Sequence, residues 1–102
     1  MRVVILRPVA EFLEVLEKSV RADVLGLVEL LGRYGHRFSM PYAKPIGGGL
    51  WELRRTGRPQ IRIIHGFCHG EAVLLRALKK QRSALPRRDI ELSRKLLAAY
   101  CG

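Results

Sequence analysis

Acidic residues are what this sequence runs short of. Its 102 residues include 9 Asp and Glu against 19 Lys and Arg. The deficit is local: residues 1–35 carry five of each sign, whereas residues 36–102 carry fourteen cations and four carboxylates, so the whole net charge of +10 lies there. Such a segment offers no Asp/Glu pair or cluster for a two-metal nuclease. Cysteine is also scarce. Cys68 and Cys101 stand far apart with no second cysteine at metal-ligand spacing, and are expected to be two reduced thiols. Cys68 and His69 with His65 lack the paired spacing of zinc sites, so no metal and no other cofactor is expected. No apolar run approaches the roughly 20 residues that span a bilayer. The opening Met1 to Leu6 has one cation and a very short apolar run, with charges from Glu11 onward. It reads as a first strand rather than a signal peptide, so a cytoplasmic chain without a membrane partner is expected.

What is present describes a folded chain. A hydrophobic fraction of 48% with 27% charged residues is ordinary for a globular protein and argues against disorder. The length suits one small domain over residues 1–102. A basic surface segregated to one part of the chain is the electrostatic footprint of a polyanion binder.

The order of elements follows from periodicity. Arg2 to Arg7 is a β-branched run that ends at Pro8. Val9, Phe12, Leu13 and Leu16, then Val24, Leu27, Val28 and Leu31, recur at helical spacing and predict a helical hairpin stopping near Gly35. Residues 36–49, with Pro41, Pro45 and three consecutive glycines, read as an irregular lead-in. The glycines lack the fixed spacing, Lys-Ser/Thr pair and following helix of a phosphate loop. Leu50 to Arg55, Gln60 to Phe67 and Glu71 to Leu78 are strands joined by short turns, hence antiparallel neighbours. Pro86 opens a last helix with Ile90, Leu96, Leu97 and Tyr100 as its buried stripe. The expected class is α+β in the order β-α-α-β-β-β-α.

Alternation along strands places the cations. Leu50, Glu52 and Arg54 share one face of their strand, Trp51 and Leu53 the other; His65 shares the face of Ile61 and Ile63. Arg62 and Arg76 lie inside apolar runs, and Lys79-Lys80 end the last strand. A guanidinium within a strand requires a partner or a groove filled by a ligand. Arg54, Arg62 and the lysine pair are expected to converge on one face and clamp phosphate, with Glu52 as an alternative ion-pair partner for the arginines.

The segments Tyr42-Ala43-Lys44-Pro45, Gly49-Leu50-Trp51-Glu52-Leu53-Arg54, Ile61-Arg62-Ile63-Ile64-His65 and Val73-Leu74-Leu75-Arg76-Ala77-Leu78-Lys79-Lys80, followed by Pro86, resemble the phage-derived, HigB-like branch of the RelE/ParE toxin superfamily. The resemblance spans about residues 2–100. It implies a curved antiparallel sheet packed against a helical hairpin and a C-terminal helix. It also implies the toxin of a type II toxin–antitoxin system: a metal-independent, ribosome-dependent mRNA endoribonuclease or, as in the ParE branch, a DNA gyrase inhibitor without RNase activity. The implied partners are mRNA, the ribosome and a helix-turn-helix antitoxin in a hetero-oligomer. By position, Arg62, Lys79 and Lys80 are the catalytic cations, His65 would handle protons, and Lys44, Arg54, Arg76 and Arg82 would contact RNA. The chain departs from its relatives at His65, where many have Tyr, and at Leu85, where Thr commonly caps the last helix.

Overall fold

The computed structural model describes residues 1–80 and 84–102. β1 (Arg2–Ile5) leads into α1 (Arg7–Glu14), whose first turn holds Pro8, a position where a missing N–H breaks no helical bond. α2 (Lys18–Tyr34) closes at Gly35, whose φ of 56° lies in the left-handed region that glycine enters without strain. A 3-10 turn over Gly35–Arg37 follows. The remaining elements are β2 (Ala43–Gly47), β3 (Leu50–Arg55), β4 (Ile61–Cys68), β5 (Glu71–Lys79) and α3 (Arg87–Cys101).

The expected order is right in class and short by one strand. β2 occupies part of the segment expected to be irregular, giving β-α-α-β-β-β-β-α. It is an edge of the sheet, the place where a residue such as Pro45, lacking an N–H, is tolerated. The sheet order is β1-β5-β4-β3-β2. Neighbours from β2 to β5 run antiparallel, while β1 lies parallel to β5. Short connections could not reveal that parallel edge, because its two strands are separated by most of the chain.

Helices cover both faces. On one face Val9, Leu13 and Leu16, then Val20, Val24, Val28 and Leu31, pack against Leu53, Ile61, Ile63, Ala72 and Leu74. On the other, Ile90, Leu96 and Leu97 of α3 pack against Leu50, Ile64, Val73 and Leu75. Gly66 makes that second contact possible: a Cβ there would stand 2.6 Å from Leu97 Cδ2. The expected stripe of α3 needs one correction. Tyr100 is exposed and donates to Glu71 Oε1 at 2.9 Å, while the residues fully buried on the helix are polar. Asp89 Oδ1 accepts from Arg76 Nε at 2.7 Å, and Ser93 Oγ donates to the Asp89 carbonyl at 2.7 Å.

The cysteines are also corrected. Cys68, at the end of β4, and Cys101, at the end of α3, have Cα atoms 5.8 Å apart and form a disulfide. Their separation of 33 residues in sequence concealed a contact that the docking of α3 creates. No helix among the described residues is long and apolar enough to cross a membrane.

Candidate nucleic-acid interface

The strand register gathers charge at one end of the α3-bearing face. Lys44 on β2 is paired with Glu52 on β3, and Arg54 on β3 with Arg62 on β4. Lys80 follows β5, its backbone N–H donating to the Gln60 carbonyl at 2.9 Å, which brings it beside the start of β4. Alternation puts Glu52, Arg54 and Arg62 on the face of Leu50 and Ile64.

Glu52 is the hub. Its Oε1 lies 3.3 Å from Arg54 Nε and 3.1 Å from Arg62 Nε, both within ion-pair reach though poorly aligned for a hydrogen bond. Arg62 is 2% exposed. Its Nη1 donates to the carbonyls of Arg55 and Ile61, each at 3.1 Å, and its Nη2 to Gln60 Oε1 at 3.0 Å. Burial, followed by the neighbouring Arg54 cation, makes its charged form less favourable than that of a free guanidinium, and Glu52 works the other way. Arg62 is therefore turned inward. Its charge reaches the surface as a field through a poorly screening interior.

Lys80 stands at the surface of the same cluster. Partial desolvation and then the cations Arg62, Arg54 and Lys44 lower its pKa, with Glu52 opposing them. Among the described residues, Glu52 thus pairs directly with Arg54 and Arg62, while Lys44 and Lys80 lie in the same electrostatic neighbourhood without an ion pair to it. Cations that weaken one another's charged forms create a site where an anion is the missing stabilising group.

Beside Arg54 lies a cavity of about 290 Å³, lined by Asp23 and Leu27 of α2, Pro41, Tyr42, Arg54, Arg55 and Thr56. Tyr42 is nearly parallel to Phe38, ring centres 5.8 Å apart, and Phe38 is nearly parallel to Tyr34 at 6.4 Å. Arg55 Nη2 holds Asp23 Oδ2 at 2.9 Å. Sequence reasoning missed Tyr42 and this cavity, although Tyr42 sits inside one of the family-like segments. An aromatic directly before a basic strand was the available signal.

Several expected site residues fall elsewhere. His65 lies on the hairpin face, fully buried, with its ring edge-on to Phe67 at 5.6 Å. Burial pushes its pKa down to about 4, and neither ring nitrogen has a hydrogen-bond partner among the described residues. The thickness of the sheet separates it from Arg62, so it cannot pass protons at that cluster. Lys79 is paired with Ile61 and shares the hairpin face, which splits the lysine pair. Arg76 is committed to the buried Asp89 as a strut for α3. Arg82 lies outside the described residues.

The family description "Phage derived protein Gp49-like (DUF891)" matches residues 11–98, which takes in the end of α1, all of α2, every strand of the cationic cluster and most of α3. The chain belongs to this Gp49-like family. The family is related to RelE- and HigB-type toxins, so the chain is a relative of RelE-like toxins that act as endoribonucleases. Among curated proteins, none matches the chain. Lys44, Glu52, Arg54, Arg62 and Lys80 all fall inside the matched span.

Proposed function

We propose that this Gp49-like protein is the toxin of a type II toxin–antitoxin pair, of the HigB-like branch, and that it cuts mRNA on the ribosome without a metal ion. The reading is carried by the clustering of Lys44, Arg54, Arg62 and Lys80 around Glu52, which pairs with the two arginines, in a family related to RelE- and HigB-type toxins. RNA supplies its own nucleophile. The 2′-OH loses its proton and attacks phosphorus, the bond to the 5′-oxygen breaks, and that oxygen takes up a proton. The products are a 2′,3′-cyclic phosphate and a 5′-OH. Negative charge growing on the non-bridging oxygens meets Lys80 and Arg54 at the surface, with the field of Arg62 behind them. Lys80, which releases its proton more readily than an ordinary lysine, is the member of the cluster suited to proton transfer. A base next to the reacting phosphate stacks on Tyr42.

The same face, rich in cations, is the surface that a helix-turn-helix antitoxin covers with acidic residues in a hetero-oligomer, in the cytoplasm. Lys80→Ala is the direct test, because among the described residues the Lys80 side chain holds no hydrogen bond or ion pair. Primer extension on mRNA after induction is expected to map discrete cleavages for the wild type and at least a hundredfold fewer for Lys80→Ala, in line with the roughly 10²–10⁴-fold contribution of acid–base groups. Intact messages accompanied by DNA damage would transfer the activity to gyrase and end the RNase reading.

A further inference from the structure

The opposite end of β4 carries a second cluster that the RNA-cutting reading does not use. Cys68, His69 and Cys101 gather where the β4–β5 turn meets the last turn of α3, and their donor atoms all lie within 4.8 Å of one another. His69 is the only non-glycine residue of the described chain with a positive φ, at 50°. That turn geometry places its ring over the helix end, where Nε2 is 3.3 Å from the Cys101 carbonyl oxygen. In the disulfide the two sulfurs are bonded to each other and are not free ligands.

We propose that the reduced form of this cluster is a binding site for a soft, tetrahedral divalent cation, zinc foremost, with Cys68, Cys101 and His69 as ligands and water in the fourth position. A dithiol reductant converts the disulfide to two thiols and itself becomes a cyclic disulfide. On metal binding the thiols give up their protons to solvent, and two thiolates with one neutral imidazole form the kind of donor set that zinc selects. Donors around zinc, at about 2.3 Å for sulfur and 2.0 Å for nitrogen, stand about 3.5–3.8 Å apart. The sulfurs need only separate to that distance, and His69 needs only close to it.

The donors stay together without the S–S bond. Tyr100 Oη holds Glu71 Oε1 at 2.9 Å, and Leu97 fills the space above Gly66, so the last turns of α3 are fixed to β4 and β5 independently of sulfur. Oxidation and metal binding therefore compete for one pair of sulfurs, and both tie α3 to the sheet.

The test is a cobalt titration of the whole chain, reduced with a phosphine and shown to have two free thiols by thiol counting. One equivalent of Co²⁺ is expected to produce the sulfur-to-cobalt charge-transfer absorption, and Zn²⁺ to abolish it. Zn²⁺ should also raise the melting temperature of the reduced protein. His69→Ala is expected to weaken binding at least tenfold, and Cys101→Ser to remove the charge-transfer band. If Cys68→Ser, altering a buried position, fails to fold, Cys101→Ser at the helix end decides the matter. Absence of the band with both thiols free, or an unchanged affinity in His69→Ala, overturns the proposal.

Discussion

The two faces of the sheet differ in the titratable groups they bury. The hairpin face receives apolar side chains from α1 and α2 and encloses the imidazole of His65, whose ring nitrogens have no well-formed hydrogen bond among the described residues. The α3 face is apolar only where the helix reaches. Beyond Leu50 and Ile64 it carries Glu52, Arg54, Arg62 and Lys80. β4 serves both faces, since successive residues point to opposite sides. A dry face can bury an imidazole only as the neutral form. A face that a helix leaves partly open can hold cations, provided that a carboxylate such as Glu52 anchors them.

The comparison breaks most directly at Glu52. Glu52→Ala leaves Arg62 buried without its counter-charge, and removing one partner of a buried pair typically destabilises by about 3–5 kcal/mol. Urea unfolding is expected to show a loss of that size; a loss below about 1 kcal/mol would mean that the backbone acceptors of Arg62 suffice without Glu52.

On the hairpin face the corresponding test is acid. Unfolded His65 titrates near the ordinary 6.5, while the folded ring stays neutral down to about 4. Between those values the unfolded chain binds the extra proton, so stability is fully present above about pH 6.5 and falls as pH drops toward 4. The loss amounts to about 3 kcal/mol, at about 1.4 kcal/mol for each factor of ten. Unfolding measured across this range should show that slope in the wild type and a flatter one in His65→Phe.

Gly66→Ala probes the part of the α3 face that the helix covers. Its Cβ collides with Leu97, and overpacking of this kind costs about 1–3 kcal/mol. Thermal melts should reveal the loss, accompanied by faster hydrogen exchange in α3 than in α2. The smallest effect on stability is expected from Lys80→Ala, within about 0.5 kcal/mol, because a surface cation crowded by other cations adds little to the fold. The same substitution carries the largest expected effect on RNA cleavage, so stability and activity part company on this face.

Much of this was legible residue by residue. The β-branched and alternating runs of β3, β4 and β5 set their own boundaries to within a residue or two, and the two stripes of the hairpin marked α1 and α2, although Leu16 of the first stripe falls past the end of α1. Alternation alone puts Arg62 and His65, three positions apart, on opposite faces of β4, so spacing by itself separates the two. β2 escaped notice because Pro41, Pro45 and the glycine run look like a loop. An edge strand keeps that composition and becomes a strand only through the partner that β3 supplies. Arg76 read as a free cation because Asp89, thirteen residues later, comes near only when α3 docks.

By itself the sequence determined the class of the fold, the segregation of charge and the strand parity that puts Arg54 and Arg62 on one face, because these rest on spacing within single elements. Only the tertiary structure decided that Glu52 anchors both arginines, that Lys80 rather than Lys79 joins them, and that Cys68 meets Cys101. Each of these depends on contacts between residues brought together by the sheet register and by the docking of α3. No local periodicity encodes such contacts.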